Sequence, residues 1–228
     1  MGEMVSVPSN GGTSEGYLAV PSTPNGSAVI VIQEWWGLVG HIRDVADRLA
    51  ALGYLTLAPD LYHGVKTTEP DEAGKLMMGL AMAEAGQDMA AAADYLAGRD
   101  EVSSGNVATV GFCMGGSLAM WAGTLSSHIV ATVGFYPAVP WERMSPQWHN
   151  YTGKAALIHC SEEDGTSADP GIQQARSAIE AAGGETEVHD YPGTKHAFFN
   201  DDRPEVYDRA ASAQAWSRTV DFLARRLG

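Results

Sequence analysis

The chain has few cysteines, few basic residues and no long apolar run. Its 228 residues include two cysteines, Cys113 and Cys160, which lack the regular spacing of a secreted disulfide framework. Lysine and arginine total 14 against 28 acidic residues, and the net charge of −14 disfavours a nucleic-acid or anionic-membrane partner. No segment approaches the ~20 apolar residues that span a bilayer, and residues 1–10 are neither basic nor apolar. We therefore expect a cytoplasmic protein in a reducing compartment.

Short β-branched segments alternate with helical patterns from about residue 28 onward. This alternation predicts an α/β fold with a mostly parallel central sheet and helices on both faces. Residues 5–20 predict one or two antiparallel edge strands. No linker or repeat interrupts the chain, so residues 1–228 are expected to form a single domain. Strands are predicted at 28–32, 54–58, 107–111, 129–136, 155–160 and 186–191, and helices at 41–52, within 69–96 (one or two), from about 117, at 172–182 and at 204–227.

A nucleophile turn is predicted at residues 111–116, Gly-Phe-Cys-Met-Gly-Gly. This is the G-x-S-x-G elbow pattern with cysteine in the place of serine, and it lies between a predicted strand and a predicted helix. Gly111 and Gly115 are the small residues that a sharp turn requires. Cys113 would lie near the helix N-terminus, which favours a thiolate, and the amide of Met114 would donate to an oxyanion. The alternative is a tight turn with an inert, buried cysteine.

The acid and the base of a catalytic triad follow the cysteine in the chain order of α/β-hydrolases. Asp164 comes just after one predicted strand and His196 just after the last, so both are expected at the carboxyl edge of the sheet. His196 would take the thiol proton and later activate water, while Asp164 would orient the imidazole. Asp169 is the leading alternative for the acid, and Glu162 and Glu163 lie in the same loop. A structural loop histidine is the alternative for His196.

Four motifs together resemble the dienelactone hydrolase family. They are Gln-Glu-Trp-Trp-Gly at 33–37, Ala-Pro-Asp-Leu-Tyr at 58–62, the elbow at 111–116 and His-Ala-Phe at 196–198. The resemblance runs from about residue 16 to the end of the chain. It implies a single-domain α/β-hydrolase that cleaves a small-molecule ester or lactone through a thioester acyl-enzyme. It also implies a monomer with no metal or organic cofactor.

The resemblance assigns roles to two residues of the first motif. By it, Glu34 contacts the nucleophilic thiol at rest and is displaced when substrate binds. A neighbouring carboxylate disfavours thiolate formation by like-charge repulsion and so protects the sulfur from oxidation. The backbone amide of Trp35 is implied as the second oxyanion donor beside that of Met114. The plainer interpretations are a solvent-facing carboxylate for Glu34 and simple packing for the side chains of Trp35 and Trp36.

The substrate is expected to depart from that of family members that act on the anionic dienelactone. Those members hold the substrate carboxylate with two arginines, one in the helical segment after the Asp-Leu-Tyr motif and one four residues after the histidine. Residues 62–96 contain no arginine here, and Asn200 stands at the second position, although Arg203 is near in sequence. A neutral ester or lactone is therefore expected to suit this site at least as well as dienelactone. The predicted pocket residues are Trp36, Tyr136, Trp141, Phe198 and Asn200.

Three other hypotheses compete with hydrolysis. A non-catalytic ligand-binding or redox-sensing protein could keep the fold and use Cys113 as a switch. A metal site at residues 159–164 is disfavoured, because successive strand residues point to opposite faces and no second His or Cys pair is present. Acyl transfer to an acceptor other than water would use the same covalent intermediate.

Overall fold

The centre of the molecule is a mixed, mostly parallel β-sheet. The computed structural model describes residues 1–9, 12–138 and 141–228, and within them eight strands form one sheet in the order β1-β2-β4-β3-β5-β6-β7-β8. β1 and β2 run antiparallel to their neighbours, and the other pairings are parallel. The predicted α/β fold and the predicted antiparallel edge strands are confirmed. The strands are β1 (Glu3–Ser9), β2 (Gly12–Ala19), β3 (Ala28–Ile32), β4 (Leu55–Pro59), β5 (Val107–Phe112), β6 (Ile129–Phe135), β7 (Ala155–Ser161) and β8 (Glu185–Tyr191).

Helices cover both faces of the sheet. Two of them meet through Arg48, whose guanidinium lies 4.1 Å from the ring centre of Trp216, and another two pack on each other elsewhere on the sheet. No helix in the described part of the chain is long and apolar enough to cross a membrane. The α-helices of the described residues are α1 (Gly40–Ala51), α2 (Pro70–Gly79), α3 (Met82–Ala97), α4 (Met114–Ala122), α5 (Pro170–Ala181) and α6 (Arg209–Leu227). The pair that meets through Arg48 is α1 with α6, and the pair that packs elsewhere on the sheet is α3 with α4.

Two predicted helix starts are wrong. α4 begins at Met114 and not near Ser117, because Cys113 itself is the residue before the helix and makes the whole turn in one step. α6 begins at Arg209 and not at Pro204. The Asp208 side chain caps that helix by accepting from the amide of Ala211 at 2.9 Å, while the preceding residues form turns. A capping carboxylate satisfies an amide that has no intrahelical partner, and here this decides the start of α6.

The central strands bring the candidate site residues to one edge. β3, β4 and β5 are buried along their whole length, as expected of parallel strands with helices on both faces. Because β3, β5, β6, β7 and β8 are parallel, the loops that follow them meet at the carboxyl edge of the sheet. Those loops carry Glu34, Cys113, Tyr136, Asp164 and His196.

Candidate active site

Cys113 occupies a strained backbone position at the sharp turn after β5. Its φ of 56° and ψ of −121° lie in a region that side chains rarely adopt. Its amide donates to the carbonyl of Phe135 at 3.0 Å, and its own carbonyl accepts from the amides of Gly116 and Ala138. These bonds to β6 and the following loop hold the turn, and the side chain is 8% exposed. Surrounding contacts that fix such a strained residue are typical of a functional position.

The turn leaves no room for a side chain at three of its glycines. A Cβ on Gly111 would lie 1.9 Å from the carbonyl oxygen of Gly115. A Cβ on Gly115 would lie 2.3 Å from the carbonyl oxygen of Gln33, which directly follows β3, and 2.5 Å from that of Ile32, the last residue of β3. A Cβ on Gly116 would lie 2.8 Å from the carbonyl oxygen of Phe135. The backbone of the turn therefore touches itself and both neighbouring strands.

The structure selects Asp164 as the partner of His196. The Nδ1 atom of His196 lies 2.8 Å from Oδ2 of Asp164. The same carboxylate oxygen accepts a hydrogen bond from the hydroxyl of Ser161 at 2.5 Å. Asp169 has a different task, because its Oδ1 caps α5 by accepting from the amides of Gly171 and Ile172. Ser161 was missed by the sequence analysis, since nothing distinguishes it from other residues at a strand end.

The two acidic neighbours of Asp164 join its loop to the histidine loop. Glu163 accepts a hydrogen bond from the backbone amide of His196 at 2.7 Å, and its own amide donates to the carbonyl of Thr194 at 3.2 Å. Glu162 accepts from the amide of Gly193 at 2.8 Å. We call these three bonds the loop clasp. The clasp joins the backbone just before Asp164 to the backbone that leads to His196.

The pair has shifted proton affinities. Burial lowers the pKa of His196, but the hydrogen bonds to Asp164 and Cys113 and their negative charges outweigh burial and raise it to about 10. Burial raises the pKa of Asp164, and the hydrogen bonds from His196 and Ser161 outweigh burial and hold it below its usual range. Asp164 therefore stays ionised and stabilises a charged imidazole ring.

Glu34 is buried beside the cysteine and is held by two polar groups. It is 1% exposed. Its Oε2 accepts from the side-chain amide of Asn200 at 2.7 Å, and its Oε1 accepts from the hydroxyl of Tyr136 at 3.4 Å. Burial, together with the charges of Glu34 and Cys113, raises the pKa of Tyr136 well above its usual range, so the phenol stays neutral and donates. Among the described residues no hydrogen bond joins Glu34 to Cys113.

Cys113 and His196 line one cavity of about 200 Å³, which we call the reaction cavity. Its walls are mainly apolar, and the ionisable side chains among them are Glu34, Cys113, His196 and Arg203. Trp36 belongs to it as the sequence analysis predicted, whereas Ala138 and Ala197 gave no signal because alanine is common in every environment. The residues that line it are Glu34, Trp35, Trp36, Met77, Cys113, Ala138, His196, Ala197 and Arg203.

The other predicted pocket residues lie behind or beside this cavity. Trp141 does not line it; its Nε1 donates to the carbonyl of Gly171 at 2.8 Å and its ring packs against Trp148. Phe198 is fully buried against Tyr136. Tyr136 and Asn200 act on the cavity through Glu34. The prediction that Trp141 lines the substrate pocket is therefore wrong for the reaction cavity, because the indole is anchored to Gly171 instead.

The backbone amides of Met114 and Trp35 are the candidate oxyanion donors. Met114 is the first residue of α4, where the helix leaves its amides without intrahelical partners. Trp35 directly follows Glu34 and lines the reaction cavity. In the described ranges 1–9, 12–138 and 141–228, no group accepts a hydrogen bond from either amide. Over the same ranges, no cluster of three His, Cys, Asp or Glu side chains is arranged to hold a metal ion.

Comparison with known proteins decides the family. The model of the dienelactone hydrolase family matches residues 14–227. The chain belongs to the dienelactone hydrolase family. It is 34% identical to the protein usf of Aquifex pyrophilus over the whole of both chains. It is 31% identical to a protein of Aquifex aeolicus that carries the provisional name carboxymethylenebutenolidase, over 98% of each chain.

The fold agrees with this membership. A crystal structure from Klebsiella pneumoniae subsp. pneumoniae, provisionally named a dienelactone hydrolase, superposes with a TM-score of 0.83. The two sequences are 25% identical, and the match covers 98% of each chain. As a dienelactone hydrolase family member, the chain is a hydrolase that acts on carboxylic ester bonds.

The proton affinity of His196 predicts how the stability of this family member depends on pH. Because its folded pKa is raised from 6.5 to about 10, the stabilisation is fully present below pH 6.5 and is lost as the pH rises toward 10. Asp164→Asn removes the carboxylate whose hydrogen bond raises the pKa of His196 most, and it is expected to make stability fall less steeply as the pH rises. Urea unfolding of both proteins at several pH values between 6 and 10 measures it. If the free energy of unfolding fell equally with rising pH in both proteins, Asp164 would not be the cause of the raised pKa of His196.

Proposed function

We propose that the chain hydrolyses small neutral esters or lactones through a Cys113-His196-Asp164 triad and a thioester acyl-enzyme. The observation that carries this proposal is that Cys113, at a strained turn, shares the reaction cavity with His196, whose ring is held 2.8 Å from Asp164. Acyl transfer requires a nucleophile, a nearby base and a group that orients the base. Asp164, His196 and Cys113 supply these three groups, and they follow one another in the chain as nucleophile, acid and base.

In the first half-reaction the thiol proton passes to His196 and the sulfur attacks the substrate carbonyl carbon. The C–S bond forms, and the carbonyl oxygen becomes an oxyanion that accepts hydrogen bonds from the amides of Met114 and Trp35. When the oxyanion collapses, the bond to the leaving oxygen breaks and His196 returns the proton to that oxygen. A thioester on Cys113 and a free alcohol result.

In the second half-reaction water takes the place of the alcohol. His196 removes a proton from water, and the hydroxide attacks the thioester carbonyl carbon. Collapse of the second oxyanion breaks the C–S bond and releases a carboxylic acid, while the proton on His196 returns to the sulfur. Asp164 stays ionised throughout because two hydrogen bonds hold its pKa low. The hydrogen bond to Asp164 raises the pKa of His196 and so stabilises the protonated ring while each oxyanion exists.

The charges around the cavity favour a neutral substrate. Asn200, a neutral residue, holds Glu34 from one side. Arg203 is already paired, since its Nε and Nη2 atoms lie 2.9 and 2.8 Å from Oε1 of Glu205. A carboxylate on the substrate would have to compete with Glu205 for Arg203 and would face Glu34 across a cavity of about 200 Å³.

Capture of the acyl-enzyme tests the mechanism. After rapid mixing with p-nitrophenyl acetate and acid quenching, mass spectrometry of the intact protein and its peptides should find one acetyl group on Cys113. Cys160 is the internal control, because it is 2% exposed and is expected to remain unmodified. Release of p-nitrophenol with no adduct at Cys113 would overturn the thioester mechanism. Oxidation of Cys113 without any turnover would favour the redox-sensing alternative.

A further inference from the structure

The reaction cavity is flanked by two further cavities. On one side it shares Trp36 and Arg203 with a cavity of about 240 Å³, which we call the distal cavity. On the other side it shares Ala138 and His196 with a cavity of about 190 Å³ that also touches Asp164. The three cavities thus form a row along the carboxyl edge of the sheet, with Cys113 in the middle.

The size of the reaction cavity limits what it can hold alone. Small-molecule sites usually measure ~300–1,000 Å³, and the reaction cavity measures about 200 Å³. Any substrate larger than a short-chain ester must therefore extend into a neighbouring cavity. The distal cavity adjoins the reaction cavity at Trp36 and Arg203, and the guanidinium of Arg203 lies 5.5 Å from the ring centre of Trp36.

The proton transfer decides which part of an ester points in which direction. His196 has to reach the leaving oxygen to protonate it, so the alcohol part lies on the side of His196 and Asp164. The acyl part lies on the opposite side of the attacked carbon, toward Trp36 and Arg203. An acyl chain that outgrows the reaction cavity therefore enters the distal cavity.

The lining of the distal cavity indicates the chemistry of the chain end. Its remaining walls are Val39, Thr67, Thr68, Asn200 and Asp202. The Thr67 hydroxyl donates to Glu72 at 2.9 Å, and the Asn200 side-chain amide donates to Glu34 at 2.7 Å. The Thr68 hydroxyl and the Asp202 carboxylate are therefore the groups left to face a ligand. Arg203 is paired with Glu205, so its charge is already balanced. A neutral chain end that hydrogen-bonds fits these walls, whereas a carboxylate would meet the charge of Asp202.

We propose that the distal cavity is an acyl subsite for neutral chains that end in a hydroxyl or amide group. The subsite rests on the proposed ester hydrolysis, since it assigns a direction to the acyl part of that substrate. Thr68 is the neutral residue on which we place the specificity, because it is exposed and lines the distal cavity but not the reaction cavity.

Thr68→Trp tests the subsite by filling it. The substrates are p-nitrophenyl acetate, p-nitrophenyl 6-hydroxyhexanoate and hexyl acetate, which differ in the length of the acyl or the alcohol part. The variant is expected to lose about tenfold or more of kcat/KM on the hydroxyhexanoate, the effect of one or two methylene groups that a site no longer accepts. Both acetates are expected to stay within about twofold of wild type.

Thr23→Trp is the matched control, because it makes the same change at an exposed threonine outside all three cavities. It should leave all three substrates unaffected. Equal losses on all substrates with Thr68→Trp, or a selective loss on hexyl acetate, would overturn the acyl subsite while leaving hydrolysis intact. A wild-type protein that cleaves none of the three esters would overturn the proposed function, and the subsite with it.

Discussion

Replacement of Cys113 by alanine is expected to lower kcat for p-nitrophenyl acetate by about 10⁴-fold or more, the scale seen when a triad nucleophile is removed. Alanine leaves no atom that can form the acyl bond, while the oxyanion donors and the cavity remain. The residual rate should show no burst, because no covalent intermediate accumulates. Steady-state hydrolysis, with circular dichroism to establish folding, measures the effect.

Cys160→Ala is the control for Cys113→Ala. Burial raises the pKa of the Cys160 thiol to about 12, so this thiol stays protonated at neutral pH and is not nucleophilic. The control should keep its activity within about threefold of wild type, the range expected for a small packing change near the site. If Cys113→Ala retained most of its activity, the nucleophile would have to be another group.

Replacement of Gly115 by alanine is expected to destabilise the protein by about 2 kcal/mol or more and to remove most of the activity. The added Cβ would lie 2.3 Å from the carbonyl oxygen of Gln33 and 2.5 Å from that of Ile32. Either α4 or the segment at the end of β3 has to move. α4 begins at Met114 and Trp35 lies just beyond β3, so such a movement would displace at least one of the amides that we propose as oxyanion donors. Urea unfolding and kcat for p-nitrophenyl acetate measure the two effects.

Gly74→Ala is the matched control for Gly115→Ala. Gly74 lies inside α2, and a Cβ there would meet nothing within 4 Å. Alanine in a helix is favoured over glycine by roughly 0.5–1 kcal/mol, so the control is expected to be slightly more stable than wild type. If the two variants were equally stable, the backbone around Gly115 would be able to move away from the added Cβ at little cost, and the close contacts at Gly115 would not limit the turn.

The sequence was enough to predict the elements that bring the site together. The elbow pattern at Cys113 combines glycine spacing with a flanking strand and helix, so it specifies a backbone geometry as well as a residue. His196 and Asp164 followed from chain order and from the rule that parallel strands end at one edge. The choice between Asp164 and Asp169 stayed open, since both lie in one loop and only the fold shows which carboxylate caps α5.

Other features depend on contacts that pattern does not encode. Ser161 becomes important only because its hydroxyl meets the same oxygen of Asp164 that His196 meets. Trp141 was expected in the pocket as an aromatic in a long loop, but its indole is anchored to Gly171. Pro204 suits a helix start by local preference, yet a capping carboxylate four residues later decides where α6 begins.

The loop clasp limits how far the loop of Asp164 and the loop of His196 can move relative to each other. Glu162 and Glu163 tie the backbone of the histidine loop to the loop that carries Asp164. A shift of either loop therefore displaces acid and base together, and their mutual distance is conserved. The catalytic geometry is then left with one variable separation, between the sulfur of Cys113 and the ring of His196. Mutations far from the site would then act mainly by changing the distance between the sulfur of Cys113 and the ring of His196. Substitutions of Glu163 would also allow the distance between Asp164 and His196 to vary.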